Sequence, residues 1–425
     1  MRYWKLGWFL VLVLAVAVPA EANALSDVDG HWAERSIYHL EAMKILAGFE
    51  DGTFRPDETV TRNQFAKVLV AALGYSEEAG EAMRYPTVYR DVPAGHWASG
   101  FVQVASDLGF VKGYGDGTFQ GDSPITRAEI TAIMVRALGL KSRAESLRTA
   151  SLTFADAVEI PVWARGYVVV ASSQGVITGY DDGTFRPSAP TSRAEASTIV
   201  SRFLEGRGLH YQHYGVLATV FESRLLADTD TGRRSFILGW PASVFRNGQR
   251  VEPKDLSPFD ELFMVGKPDA LVFVEARYVD ELGEARSINA QAGTFGLRIA
   301  TGVTRTLRLE EGARVFRHGR VSTLGNLESG DRLYVVHSAL TGLVRLVDAV
   351  SFDVSGIVTA VTADSLTLSL GNGDEKNLGW APSAMVFLNG VAVIPEEVAI
   401  GDFLEAHLGE AGKIDYAEIV REVSP

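Results

Sequence analysis

The chain of 425 residues contains no cysteine. That absence removes disulfides, cysteine-ligated metals and thiol nucleophiles together, so any core must hold by ordinary packing. Long apolar runs are almost as scarce. Trp8 to Val18 is the single extended one, and it is too short to span a bilayer. With Arg2 and Lys5 ahead of it and Ala22-Asn23-Ala24 behind, it reads as a secretory signal over residues 1–24, leaving no transmembrane segment expected in the mature chain. Excess positive charge is missing too: the formal net charge is −13, which argues against nucleic acid as a partner. Lysine is outnumbered by arginine by about three to one, so planar guanidiniums are the main cations. His210-x-x-His213 is the one close histidine pair, a weak metal pattern. No nucleophile elbow or paired-carboxylate scaffold is legible, so catalytic residues, metal and cofactor are all expected to be none.

What the chain does have is repetition. Trp32, Trp97 and Trp163 are 65 and 66 residues apart, and Asp51, Asp116 and Asp182 and then Arg62, Arg127 and Arg193 keep those steps. A period held across an aromatic, a turn and a helix start means one structural unit used three times. Beyond residue 214 the texture changes to short β-branched runs broken by Asn-Gly and Gly-Asp, after a join at 205–214 that reads as a hinge. There Phe245, Phe316 and Phe387 lie 71 apart, as do Gly248, Gly319 and Gly390, and Asp260, Asp331 and Asp402. This second half predicts three small all-β repeats, with barrel or sandwich left open. Domain boundaries follow at 1–24, 25–74, 89–139, 152–205, 214–282, 283–352 and 353–425.

In the first half, Thr61-Arg62-Asn63-Gln64, Thr126-Arg127-Ala128-Glu129 and Ser192-Arg193-Ala194-Glu195 each spell a capping box opening a helix. The arginine is left over. A cation at a helix N-terminus opposes the macrodipole, so it needs either an acceptor within the fold or an external anion held with the free helix amides. The segments Gly48 to Phe54, Gly113 to Phe119 and Gly179 to Phe185 read as turns, with Gly48, Gly113 and Gly179 as helix C-caps. Asp51, Asp116 and Asp182 either cap those turns or hydrogen-bond a sugar hydroxyl. One or two carboxylates per loop are too few for calcium. Trp32, Trp97 and Trp163 belong either to the core or to a sugar-stacking face.

These motifs, in particular Asp27-Val-Asp-Gly-His-Trp-Ala33, Asp91-Val-Pro-Ala-Gly-His-Trp-Ala98, the three Gly-aromatic-x-Asp-Gly-Thr-Phe elements and the Thr/Ser-Arg starts, make residues 27–204 resemble three consecutive S-layer homology domains. The resemblance implies a mainly α-helical pseudo-threefold module. It also implies clefts that bind pyruvylated secondary cell-wall polysaccharide, lined by the three arginines with Gly48, Gly113, Gly179, the loop aspartates and the tryptophans. A secreted, cell-surface location and non-covalent anchoring follow, with the β repeats as structural, lattice or adhesion cargo and other surface-layer proteins as further partners. The alternatives are a surface enzyme whose catalytic part is the β region, or a tether from wall to outer membrane. Repeat one departs from the pattern at Asn63-Gln64, repeat two at Gln120-Gly121 and repeat three at Pro161-Val162-Trp163, so unequal clefts are expected.

Overall fold

Three backbone hydrogen bonds close the first half into a ring. In the computed structural model, which describes residues 25–421, Val60 N donates to Thr191 O, Thr191 N to Ile125 O and Ile125 N to Val60 O, each at 2.9 Å. Each of these residues immediately precedes a capping box, so the second helices of the three repeats start around one axis. They are α2 (Arg62–Ala72), α5 (Arg127–Ala137) and α8 (Arg193–Gly206), and the first helices are α1 (Glu34–Ala42), α4 (Ser99–Asp107) and α7 (Val162–Ser173). Short helices α3 (Ser76–Ala82) and α6 (Lys141–Ser146) link the repeats. All three capping boxes are formed in both directions. Phe65, Phe119, Phe185 and Phe203 are buried in the shared core. The signal-like segment 1–24 lies outside the described residues.

Two features of the expected fold class need correction. The first half is not mainly α-helical: its eight α-helices are short, much of each repeat is turn, and the whole structure is only 24% helical. Helices this short bury their apolar stripe only against neighbours, and the long Asp-Gly loops fill the rest. Nor does the second half consist of three small barrels or sandwiches. Its strands instead follow a solenoid-like course, one six-stranded sheet after another along the sequence. Strands β1 (His213–Phe221), β2 (Arg224–Thr229), β3 (Gly232–Arg246), β4 (Gln249–Arg250), β5 (Glu261–Lys267) and β6 (Ala270–Arg277) form one six-stranded sheet in the order β2-β1-β5-β6-β3-β4. The same order recurs over residues 279–350 and 354–420, each time with one parallel pair, which two stacked antiparallel sheets would not need. Asn247-Gly248 and Asn389-Gly390 make the expected hairpin turns with positive φ at both residues.

The chain divides into two compact units: one holds the helical repeats with nearly all of the first β repeat, the other the second and third β repeats. In the first unit the join read as a hinge is tied down. Arg35 lies between Glu205, at 2.7 Å, and Glu275. The His39 Nε2–H donates to His210 O at 2.8 Å while Nδ1 meets Ser201 Oγ at 2.9 Å. Burial holds the His39 imidazole below its ordinary pKa. Phe245 and Phe273 pack with Val28, Ile37 and Tyr38 in one cluster. In the second unit the His318 and His407 rings stack at 3.9 Å and Arg332 meets Glu405 at 3.1 Å, joining consecutive repeats.

Candidate functional site

The Asp-Gly loops are built by two carboxylates each. Asp51, Asp116 and Asp182 each accept the amide two residues on, from Thr53, Thr118 and Thr184, at 3.0, 3.0 and 2.9 Å. Hydrogen bonds from the Thr53 hydroxyl, then Arg55 and the Thr53 amide, hold Asp51 down at about 2. Asp182 is held at about 2 by Thr184 hydroxyl and amide and then Arg186. Asp116 is lowered by Thr118 without an arginine at position 120. These three aspartates are occupied with turn chemistry. The second carboxylate comes from Asp27, Asp91 and Asp156, each accepting two successive amides, such as Phe54 N and Arg55 N at 2.7 Å. Asp156 was not legible as part of a motif, although the step of 65 from Asp91 points to it. Gly48, Gly113 and Gly179 are not helix C-caps, since Met43, Leu108 and Gln174 hold those positions. They permit close approach instead: a Cβ on Gly113 would stand 2.5 Å from Thr118 O.

The helix amides expected to be free are spent inside the ring. Arg62 N donates to Ser123 O, Arg127 N to Ala189 O and Arg193 N to Glu58 O, and the following amides donate to Gly121, Pro187 and Pro56 carbonyls. The guanidiniums also find internal acceptors. Arg62 Nε donates to Phe119 O at 2.9 Å and Nη2 to Lys112 O at 3.0 Å. Arg193 Nε donates to Phe54 O at 2.8 Å. Arg127 Nη2 donates to Thr178 O. Two of the three carry a carboxylate partner from the next repeat's capping box: Glu129 lies 2.9 Å from Arg62 and Glu195 lies 3.6 Å from Arg127. Tyr114 and Tyr180 donate their hydroxyls to the same two glutamates. For Arg193 the corresponding residues are Gln64 and Phe49, so no carboxylate and no phenol complete the set. Burial lowers the pKa of Arg127 and of Arg193.

Beside these staples lie clefts assembled from all three repeats. Arg127, Gly179, Tyr180, Glu195 and Trp32 line one of about 650 Å³. Arg62, Gly113, Tyr114, Glu129 and Trp163 line one of about 150 Å³. The pattern is cyclic, with arginine from one repeat, loop from the next and tryptophan from the one after. Arg193 lines a recess of only about 30 Å³ with Gln64 and Phe54, and neither Gly48 nor Trp97 borders it. The tryptophans are not core residues: Trp32, Trp97 and Trp163 are 64%, 45% and 46% exposed. His31 and His96 accept the amides of Ala33 and Ala98 through Nδ1, holding the turn that carries Trp32 and Trp97 just ahead of α1 and α4. His210 packs against Phe263, while His213 bonds Gly266 O, so the two face different neighbours.

A ring of three repeats with inter-repeat clefts joining guanidinium, carboxylate and exposed indole defines a repeat-built module. Residues 24–66, 88–131 and 153–197 match the S-layer homology domain family, so the chain carries three S-layer homology domains. Cell surface glycoprotein 1 of Acetivibrio thermocellus is 34% identical over 38% of this chain and 7% of its own length. Amylopullulanase of Thermoanaerobacterium thermosulfurigenes is 31% identical over 44% of this chain and 10% of its own length. The cellulosome-anchoring protein of Acetivibrio thermocellus is 31% identical over 39% of this chain and 36% of its own length. The chain therefore spans at most 36% of these relatives. Its likeness is to surface-associated proteins, and among the described residues no helix is long and apolar enough to cross a membrane.

Proposed function

We propose that the three S-layer homology domains anchor the chain non-covalently to the cell wall by holding pyruvylated secondary cell-wall polysaccharide in their inter-repeat clefts, and that the β repeats are structural, lattice or adhesion cargo. Relatives named for cell-surface and anchoring roles support the wall location. The observation that carries the reading is the cleft where Trp32, Arg127 and Gly179 meet. It offers an indole face for a sugar ring, and guanidinium donors suited to a ketal carboxylate. A single charge-assisted hydrogen bond is worth about 1.5–3 kcal/mol, too little for durable attachment, but two clefts on one polymer raise the effective concentration of the second contact.

Replacing Trp32 with Ala should weaken retention on purified cell walls about tenfold or more, in line with loss of a buried aromatic anchor, while the thermal transition stays within about 1 °C because the side chain is exposed. Co-sedimentation with native walls and with walls stripped of their acidic ketals measures it. Undiminished retention of Trp32→Ala on native walls would remove this cleft from the account.

A further inference from the structure

A second arginine stands nine residues beyond the first in two of the three long helices: Arg136 on α5 and Arg202 on α8. On α2 the equivalent position is Ala71. Each of these arginines borders the cleft whose tyrosine and glutamate come from its own repeat, Arg136 in the cleft of Arg62 and Arg202 in that of Arg127. Their situations differ. Arg136 Nη1 donates to Phe110 O at 3.1 Å, and its guanidinium lies 5.2 Å from the Tyr167 ring. The position matching Tyr167 in repeat one is Ser36, four residues after Trp32 as Tyr167 is four after Trp163. Arg202 therefore has no ring beneath it. It is exposed, and among the described residues it makes no hydrogen bond, ion pair or ring contact.

The neighbouring staple is also under-bonded there. Arg62 and Arg193 each donate Nε to a phenylalanine carbonyl. Arg127 Nε, on a side chain only 9% exposed, has no partner. Of these three clefts, the Arg127 one thus holds a second guanidinium, Arg202, with its donors free, while the Arg193 recess has lost the glutamate, the tyrosine and the second arginine together. Asp57 and Asp181 border the same large cleft, so its charge is balanced and suits a singly charged group on a sugar better than a polyanion.

We infer that Arg202 is the specificity-determining residue of the Arg127–Trp32 cleft, pairing bidentately with the carboxylate of an acidic sugar, and that the Arg193 recess takes no ligand. This rests on the polysaccharide reading above and names the residue that reads the acid. Arg62, Arg127 and Arg193 are positioning residues in this scheme: they join the repeats and shape the clefts.

The test is calorimetric titration of the full chain with single-repeat fragments of the purified wall polymer, which removes avidity, before and after mild acid removal of the ketal. Arg202→Gln should bind native fragments about tenfold or more weakly than the unsubstituted protein, from the worth of a charge-assisted bond. On stripped fragments the two should be equal. Arg202→Lys should recover only part of the loss, since an ammonium cannot pair in the bidentate manner. Because Arg202 is exposed and unpartnered, an unchanged melting curve is the folding control. If the unsubstituted protein binds native fragments and Arg202→Gln binds them equally well, the inference falls and the anchoring reading stands. If the unsubstituted protein binds neither form, the anchoring reading itself falls.

Discussion

In the helical half each repeat lends carbonyls to the helix start of the repeat before it, and the first lends them to the third, while the bonds from Val60, Thr191 and Ile125 run round in the opposite sense, so the ring has no end. In the β half the copies share one strand order, and within the second unit the second and third follow one another along the chain, through contacts such as His318 on His407. Closure has a consequence for function. It gives all three clefts the same backbone frame, so differences between them reduce to side-chain substitutions such as Gln64 for Glu129 or Ala71 for Arg136. A serial array gives its members unequal surroundings from the outset. It suits display or spacing better than equivalent binding sites.

The contrast can be broken by core lesions. Phe119→Ala should cost about 3–5 kcal/mol, and because Phe119 shares one core with the other two repeats, the whole ring should lose stability as one transition. Leu404→Ala, buried in the third β sheet, should cost about 2–5 kcal/mol and shift a different transition, that of the second compact unit. Scanning calorimetry separates the two. Both lesions moving a single common transition would contradict the division.

Within the ring, the staples sharpen the comparison. Arg62→Met leaves both main-chain carbonyls without their donor and takes the cation from the partly buried Glu129 carboxylate, which keeps only neutral donors from Tyr114 and Thr126, so breaking that pair should cost about 3–5 kcal/mol. Arg193→Met orphans carbonyls only, because Gln64 stands where the glutamate would be, and should cost about 1–3 kcal/mol. Urea unfolding of the two variants measures the gap. An equal cost would mean that the carboxylates contribute nothing to holding the repeats together.

Much of this frame was legible in the sequence because it rests on local rules. Ser192 followed three residues later by Glu195 is a capping box in any context, and it formed. The period of 65 to 66 gave the number of units. What failed to show were relations set by the ring itself. A helix start looks rich in free amides until another repeat's carbonyl is known to reach it, as Ser123 O reaches Arg62 N. The glutamate of the capping box reads as a local device, but its second oxygen belongs to the arginine of another repeat. Arg136 and Arg202 are 66 residues apart, the same step as Arg127 and Arg193, yet a lone arginine on a helix reads as a solvated charge until a cleft is placed beside it. In the β half, periodic turns fixed the hairpins but carried no information on how sheets join, since strand pairing across long separations leaves no local trace.

The smallest effect distinguishes the loops. Asp51 and Asp182 titrate at about 2, below the ordinary 3.8. A depressed carboxyl stabilises its turn fully above the unfolded pKa and loses that contribution as pH falls through the folded value, so these two turns should loosen only between about pH 4 and pH 2. Asp116 has the same threonine donors but faces Gln120 where Arg55 and Arg186 hydrogen-bond the other two, and its guanidinium neighbour, Arg90, stands 3.7 Å away without a hydrogen bond. It should therefore titrate above both, and its loop should loosen first on acidification. Carboxyl carbon chemical shifts followed against pH would give the order directly. Gln120→Arg should bring Asp116 down toward its counterparts, because the guanidinium would restore the one hydrogen bond that repeat two lacks. Coincident titration of all three aspartates in the unsubstituted protein would show that the arginines add nothing to the turns, and that the departure at position 120 carries no weight.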